Sequence, residues 1–302
     1  MLITVVIPSY NHCAYIVQAI ESVLNQSWQY VDLIVIDDGS TDGSPEIIQD
    51  LYTKRGGFRF ISRENRGVIS TLNEGISLAK GEFVCFCSSD DYLPPGSLEC
   101  RANFLIEHPD YIAVFADVAK VDAKGSVIEH LMDQKRQELF SVADPIPMFI
   151  NGSNLPLHSI MSRLAIFREI GGFDPRFKVC EDLDIQLLHF LKGRIGFIDQ
   201  VVFCYRWHGE NVSLKIRHFT ARDKILLYRK YLEEIDQLQP YKDLIRRRLR
   251  GYYLKFGRNL SKGHGGLSDD RKLLRGGWAY IWYDPRLIWY LLKNEIALLS
   301  ST

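Results

Sequence analysis

The chain has 302 residues, of which 46% are hydrophobic and 25% charged, the proportions of a globular protein with a sizeable core and not of a disordered or fibrous one. Lys plus Arg and Asp plus Glu both number 37, so no overall charge imbalance points to nucleic acid or acidic lipid as a partner. The six scattered cysteines suit reduced, buried thiols in a cytoplasmic protein better than a disulfide framework or a metal knuckle.

The opening "MLITVVIPSYN" has neither a basic region nor a cleavage-type sequence and reads as a first strand. A helix over Ala14–Asn25 follows, with Ile16, Ile20, Val23 and Leu24 on one face. "VDLIVID" is the second strand. Ser44-Pro45 then offers an N-cap and an N1 proline to a helix carrying Ile47, Ile48 and Leu51. "FRFIS" is a third strand and "VISTLNEGISLAK" a third helix, closed by Gly81. "EFVCFC" is a fourth strand. Strand–helix alternation with short connections predicts right-handed βαβ units and a mainly parallel sheet flanked by helices.

Beyond Leu98 the pattern loosens. "YIAVFADVAKVDAKGSVIEHL" reads as two strands about a turn, and residues 131–160 as an irregular loop over the sheet. "SRLAIFREIGGFD" is a short helix stopped by Gly171-Gly172, "EDLDIQLLHFLKG" another helix, and "RIGFIDQVVFCYRWH" a strand pair. From Leu214 onward the chain reads as helical. The predicted organisation is a domain over 1–213, divided into halves 1–100 and 101–213, and a helical extension over 214–302.

In an open parallel sheet, ligands gather at the carboxyl ends of the strands. Here strand one ends in Pro8-Ser9-Tyr10-Asn11, strand two in Asp37-Asp38-Gly39-Ser40-Thr41-Asp42, and strand four in Ser89-Asp90-Asp91. Each alone is a good turn or helix start. Together they make a negative rim that is unfavourable without a cation. Neither G-x-G-x-x-G after strand one nor a P-loop sequence is present, so nucleotide phosphates would be held through a metal, Mg²⁺ or Mn²⁺, at Asp90 and Asp91.

At these residues a resemblance enters. "VVIPSYNHCAYIVQAIESVLNQSWQYVDLIVIDDGSTDGS", "NRGVISTLNEGISLAKGEFVCFCSSDD", "IGGFD" and "CEDLD" together resemble the family 2 glycosyltransferases of the GT-A fold, over roughly residues 1–212. The resemblance implies inverting transfer of a sugar from a nucleotide diphosphate to an acceptor hydroxyl. It implies that Pro8, Tyr10 and Asn11 line the nucleoside pocket, that Asp38 contacts the base and that Asp37 shapes the same pocket. Asp90 and Asp91 match the DxD-type motif, with Asp91 the direct metal ligand, and Asp182 in Glu181-Asp182 matches the general base. His208 in "YRWHGENVS" would hold the diphosphate or the metal, and Asp174 in Gly-Gly-Phe-Asp would border the acceptor site. Two positions depart from the family pattern: Ser88 stands where an acidic residue is common, and Leu72 where an Arg precedes the Asn of the third helix.

A base at the first turn of a helix raises a difficulty, because the helix dipole lowers a carboxylate's pKa. Aromatic residues near the C-terminus (Trp278, Tyr280, Trp282, Trp289, Tyr290) are core residues or, alternatively, a peripheral anchor at the inner face of the cytoplasmic membrane, which a lipid-linked acceptor would suit. Neither the Q-x-x-R-W motif nor the membrane spans of processive relatives occur, so single-sugar transfer to a glycan or lipid-linked saccharide is expected, and the resemblance implies a uridine donor. The competing readings are a non-catalytic nucleotide-sugar or glycan-binding module on the same fold and a nucleotidyltransferase; the latter would want a basic loop where "PSYNHCAYIVQ" has none.

Overall fold

Aliphatic and β-branched runs become strands and the 3.6-residue patterns between them become helices, as far as the computed structural model describes the chain: residues 1–209, 211, 219–261, 268–280 and 286–299. In order these are β1 (Ile3–Ser9), α1 (Ile16–Leu24), β2 (Val31–Asp38), α2 (Ser44–Arg55), β3 (Arg59–Arg63), α3 (Val68–Leu78), β4 (Phe83–Phe86), α4 (Ser97–Glu107), β5 (Tyr111–Asp122) and β6 (Val127–His130). Then come α5 (Gln134–Gln137), α6 (Ile146–Ile150), β7 (Met161–Arg163), α7 (Leu164–Glu169), α8 (Glu181–Lys192) and β8 (Arg194–Trp207). Among the described residues, α-helices follow at Thr220–Glu233, Lys242–Ser261, Ser268–Arg275 and Arg286–Leu299.

The chain divides into two units. The first comprises Met1–Pro145, Ser153–Pro175 and Ile185–Gly209, and the second Ile146–Gly152, Arg176–Asp184 and Glu210–Thr302. The boundary expected near residue 213 lies outside the described residues, as does Trp282.

The first unit is built on a mixed sheet in the order β3-β2-β1-β4-β7-β5-β6, with β8 alongside β5. Pairings β1/β2, β2/β3, β1/β4 and β5/β8 are parallel, whereas β7 is antiparallel to both β4 and β5, and β6 to β5. The parallel half is the one the helix alternation predicts. Register sets the ends of β1 and β2 level, Ser9 beside Asp37, and Val6 beside Phe86 of β4, so three loops leave one edge of the sheet together. Ile16, Ala19, Ile20 and Val23 of α1 pack with Val5, Ile7, Val35, Phe83 and Cys85 in the core under that edge. At the opposite end Thr4 Oγ1 donates to Asp32 (3.0 Å), which Arg59 grips through Nε (3.0 Å) and Nη2 (2.7 Å), tying β1, β2 and β3.

Several local expectations are corrected. Gly43, in the left-handed region, caps α2 in place of Ser44, whose hydroxyl instead donates to Asp42 (2.6 Å). Residues 194–207 form one strand in place of a pair. Its pairing runs from Ala116↔Ile198 to Asp117↔Val201, so Asp199 and Gln200 are taken up as a bulge. Residues 131–160 hold short helices whose few turns give no periodicity to read. Gly81 does not cap α3, which ends at Leu78. Gly81 lies against β1, where a Cβ would stand 2.5 Å from Thr4 N and 2.6 Å from Phe83 O.

In the second unit Tyr228, Tyr231, Ile245, Leu249, Tyr253, Phe256 and Leu291 are buried. Tyr280 packs on Tyr253 (ring centroids 5.5 Å apart), and a Cβ on Gly257 would lie 2.8 Å from Tyr290. Trp289 stays 57% exposed, so the C-terminal aromatics divide between core and surface. Among the described residues no helix is long and apolar enough to cross a membrane.

Gly81 and Gly75 allow a graded test of the tight packing on β1. A Cβ at Gly75 would meet the Val6 side chain, Cγ1 at 2.4 Å and Cγ2 at 2.8 Å, whereas that at Gly81 meets backbone. Urea denaturation should show Gly75→Ala destabilising by about 1–2 kcal/mol, overpacking being partly offset by helix propensity, and Gly81→Ala by more, about 3 kcal/mol.

Candidate active site

The loops after β1 and β2 are locked together by side chains. Asn11 takes a left-handed conformation (φ 55°), the only non-glycine to do so among the described residues. Its N–H donates to Ser40 Oγ (2.8 Å), and its Oδ1 accepts from Thr41 N–H (2.8 Å). Asp37 is fully buried and accepts from Ser40 N–H (2.9 Å) and Ser40 Oγ–H (2.6 Å), so its carboxylate shapes the turn. Asp38 accepts from the N–H groups of Arg66 (2.8 Å) and Gly67 (2.9 Å) and from the Arg63 guanidinium, which brings the β3–α3 loop to the same edge. Pro8 is half-buried and Tyr10 presents a 45% exposed ring beside them.

At the end of β4 the two carboxylates face different surroundings. Asp91 is buried, with Oδ1 accepting from Arg206 N–H (2.7 Å) and Oδ2 meeting no hydrogen-bond partner among the described residues. Burial, and then the neighbouring Asp90, push its pKa well above the usual carboxylate range. The Arg206 guanidinium donates to Asp90 O (2.9 Å), Ala123 O (3.0 Å) and Gln18 Oε1 (2.6 Å) while lying over Tyr15 and Tyr92. Asp90 instead turns to two imidazoles. Its Oδ2 lies 3.2 Å from His208 Nε2 and 3.7 Å from His12 Nε2. His12, Asp90 and His208 can each direct one ligand atom into a space where all three atoms lie within 4.8 Å, and Asp91 is not in that group. Nitrogen and carboxylate donors of this kind fit a divalent cation.

The two departures from the family pattern have structural accounts. Ser88 Oγ is hydrogen-bonded to His158 Nε2 (3.0 Å), a histidine whose pKa burial lowers and whose ring stacks on Phe203. Leu72 is buried on α3 as a packing residue. Its neighbour Asn73 clamps the Gly171-Gly172-Phe173-Asp174 turn: its Nδ2 donates to Phe173 O and its Oδ1 accepts from Phe173 N–H, both at 2.8 Å. At Gly172 (φ +73°) a Cβ would come within 2.5 Å of that amide oxygen. Asp174 is thereby carried, half-buried, on a fixed turn.

In the second unit, Glu181 and Asp182 open α8 with part of their surface exposed. Asp182 Oδ1 accepts from Leu183 N–H (2.7 Å). Desolvation by the surrounding protein outweighs this bond and the nearby Lys224, raising the Asp182 pKa to about 6, and desolvation with Asp182 beside it raises Glu181 to about 7. Burial therefore overrides the helix dipole, which would have made Asp182 a weak base. The loop before α8 is held by the helix Thr220–Glu233. Asp223 accepts from the N–H groups of Lys178 and Val179 (2.8 Å to the latter), Lys230 Nζ donates to Asp184 (2.6 Å), and Arg176 pairs with Glu234 at 2.6 and 2.8 Å.

Sequence reasoning missed His12, His158 and Arg206. A lone His after Tyr-Asn, a His in an irregular segment and an Arg within a strand carry no spacing signal; only the alignment of strand ends joins them to Asp90 and Asp91.

The sequence profile described as glycosyl transferase family 2 matches residues 4–169. A chondroitin synthase of Escherichia coli is 28% identical over 217 residues, which are 71% of this chain and 30% of that protein. Among solved structures, S. aureus TarS 1–349 in complex with UDP-GlcNAc matches with a TM-score of 0.65 at 20% identity, covering 99% of this chain and 82% of TarS 1–349. The mannosyltransferase PcManGT from Pyrobaculum calidifontis, in complex with GDP-Man and Mn²⁺, matches with a TM-score of 0.60 at 18% identity, covering 98% of this chain and 86% of that one. The chain spans 40% or less of the length of the first curated relatives it matches.

The raised carboxyl pair has a consequence for stability. Acids whose folded pKa lies above the unfolded value favour the folded state when protonated, so their contribution is full below about pH 4 and is lost as pH rises through about 6 to 7. Urea midpoints of wild type and Asp182→Asn, compared from pH 4.5 to 7.5, should diverge in favour of the variant as pH rises, by on the order of 1 kcal/mol.

Proposed function

The chain belongs to glycosyl transferase family 2 and has its GT-A fold, and from that premise we propose that it is an inverting, metal-dependent glycosyltransferase moving one sugar from a nucleoside diphosphate sugar to a hydroxyl of a glycan or lipid-linked saccharide. The observation that carries this reading is the meeting of the β1, β2 and β4 loops at one sheet edge, with Asp90 Oδ2 and His208 Nε2 3.2 Å apart there. In the proposal Tyr10 lies against the base, with Pro8, Asn11, Asp37 and Asp38 forming the nucleoside pocket. Asp38, its oxygens shared with Arg63 and two amides, fixes the pocket wall. Uridine is the preferred base by family resemblance; relatives of this fold are solved with UDP-GlcNAc and with GDP-Man.

Displacement at an anomeric carbon passes through an oxocarbenium-like transition state while negative charge grows on the leaving diphosphate. A bound Mg²⁺ or Mn²⁺ supplies Lewis-acid stabilisation of that charge. Asp90, His208 and Asp91 hold it in the proposal, Asp91 from a buried position anchored by the Arg206 backbone. The acceptor hydroxyl must lose its proton as it attacks, and Asp182 takes it. A carboxylate raised to about 6 is a better base than one at its ordinary value and is still ionised near neutrality. Glu181 shares the titration, and Asp174, on its clamped turn, hydrogen-bonds an acceptor hydroxyl. The role is in polysaccharide assembly, and the exposed Ile288, Trp289 and Leu292 beside Lys293 support peripheral contact with a membrane bearing a lipid-linked acceptor.

Thermal melts with UDP, GDP and CDP, each with and without Mn²⁺, test the donor side. One diphosphate should raise the Tm in a metal-dependent way. Asp182→Asn should keep that shift while losing turnover by about 10²-fold or more; full activity would remove Asp182 from the reaction. Diphosphate binding without turnover by wild type across donors and acceptors would favour a non-catalytic binding module. The kcat/KM of wild type should rise with pH through an apparent pKa near 6 that belongs to the Glu181/Asp182 pair.

A further inference from the structure

We infer that His12, from the loop after β1, is a protein ligand of the cation, so that the site offers two imidazole nitrogens beside its carboxylates and prefers Mn²⁺ to Mg²⁺. The inference rests on the metal-dependent reading above and adds a donor and a selectivity to it.

Spacing is the first argument. Two donors each about 2.1 Å from a common ion stand roughly 3.0 Å apart at a right angle and about 4.2 Å apart when opposed. The separations from Asp90 Oδ2, 3.2 Å to His208 Nε2 and 3.7 Å to His12 Nε2, fall between these limits. The His12 separation is beyond an ordinary hydrogen bond.

Orientation is the second. Histidines that bind metals usually have their other ring nitrogen tied to a partner that fixes the tautomer. His12 Nδ1 lies 2.8 Å from the Oγ of the buried Ser89, one residue before Asp90. With Nδ1–H donating to Ser89, the Nε2 lone pair faces the space shared with Asp90 and His208. The backbone is fixed as well: His12 N–H donates to Ser44 Oγ (3.2 Å), and the left-handed Asn11 before it turns the chain inward. An exposed loop histidine with no ligand to meet would need none of these restraints. The His12 side chain retains only 18% of its exposure and that of His208 only 5%.

The donor set then decides the ion. Mg²⁺ favours carboxylate, water and phosphate oxygens and dehydrates reluctantly, whereas imidazole nitrogens favour transition-metal ions. Two imidazoles among the donors place this site on the Mn²⁺ side. Neutral imidazoles also add no negative charge opposite the diphosphate.

The test is a titration of the full chain with Mn²⁺ alone, and with Mn²⁺ plus UDP, followed by loss of the free-ion paramagnetic resonance signal with Mg²⁺ as competitor. Wild type should hold Mn²⁺ at least about tenfold more tightly than Mg²⁺, and His12→Ala should weaken Mn²⁺ by about 10- to 100-fold while changing Mg²⁺ affinity less than about threefold. Electron spin-echo modulation of bound Mn²⁺ should show two histidine nitrogens in wild type and one in His12→Gln, which reads the ligand count without relying on activity and, for wild type, without any mutation. A single nitrogen in wild type, or unchanged Mn²⁺ affinity in both His12 variants, would overturn the role of His12 and leave the metal-dependent reading intact. Wild type taking up no Mn²⁺ in either condition would overturn both.

Discussion

Two carboxylates on consecutive residues, both largely buried at the tip of a strand, are the constraint around which the first unit is organised. Burial first, and then the charge of Asp90 beside it, push the pKa of Asp91 well above the usual carboxylate range. The fold answers by separating their duties. Asp91 is turned to the backbone of Arg206, while Asp90 is turned to two imidazoles. Arg206 joins the halves of this arrangement, since it also holds the Asp90 carbonyl and reaches α1 through Gln18. One buried guanidinium thus fixes the first helix, the end of β4 and the end of β8 about a single acidic tip.

The same economy recurs at the neighbouring loops, where acidic side chains build the backbone before they can meet a ligand. Asp37 closes the turn after β2, Asp38 draws in the β3–α3 loop, and Asp42 accepts from Cys13 N–H (2.9 Å) and from Ser44. A rim that reads in sequence as a row of negative charges is therefore mostly neutralised by amides and by Arg63. The carboxylate left to imidazoles is that of Asp90. In the second unit a comparable pattern sets the start of α8, where Asp223 and Lys230 from one helix hold the loop and first turn that carry Glu181 and Asp182.

Much of this was legible in the chain itself. The first three βα repeats and the fourth strand follow from apolar periodicity, and the polar strand ends, two of them acidic, follow from topology, whereas the helix α4 over Ser97–Glu107 went unread. What escaped was whatever depends on register between distant segments. His12 and Asp90 are separated by the length of three βα units, and only the parallel pairing of β1 with β4 brings them together. Residues 194–207 read as a strand pair, but pairing with β5 continues on both sides of the bulge at Asp199–Gln200. Gly171-Gly172 do stop α7, with Gly172 N–H donating to Phe167 O, but Gly81 read as a helix stop although what requires glycine there is the close approach of β1 backbone. For Asp182 the local argument, a helix start, gave the wrong sign for its pKa, because burial is a tertiary property that no helix pattern contains.

The central claim is that a divalent cation relieves the acidic tip of β4 and ties it to the nucleoside diphosphate. Anomalous scattering from crystals of the full chain grown with Mn²⁺ and the diphosphate that stabilises it addresses that claim most directly. The account predicts a manganese peak within bonding distance of Asp90 and of a phosphate oxygen. Carboxylates turned to solvent with no ion beside them, and the nucleotide bound elsewhere, would contradict it.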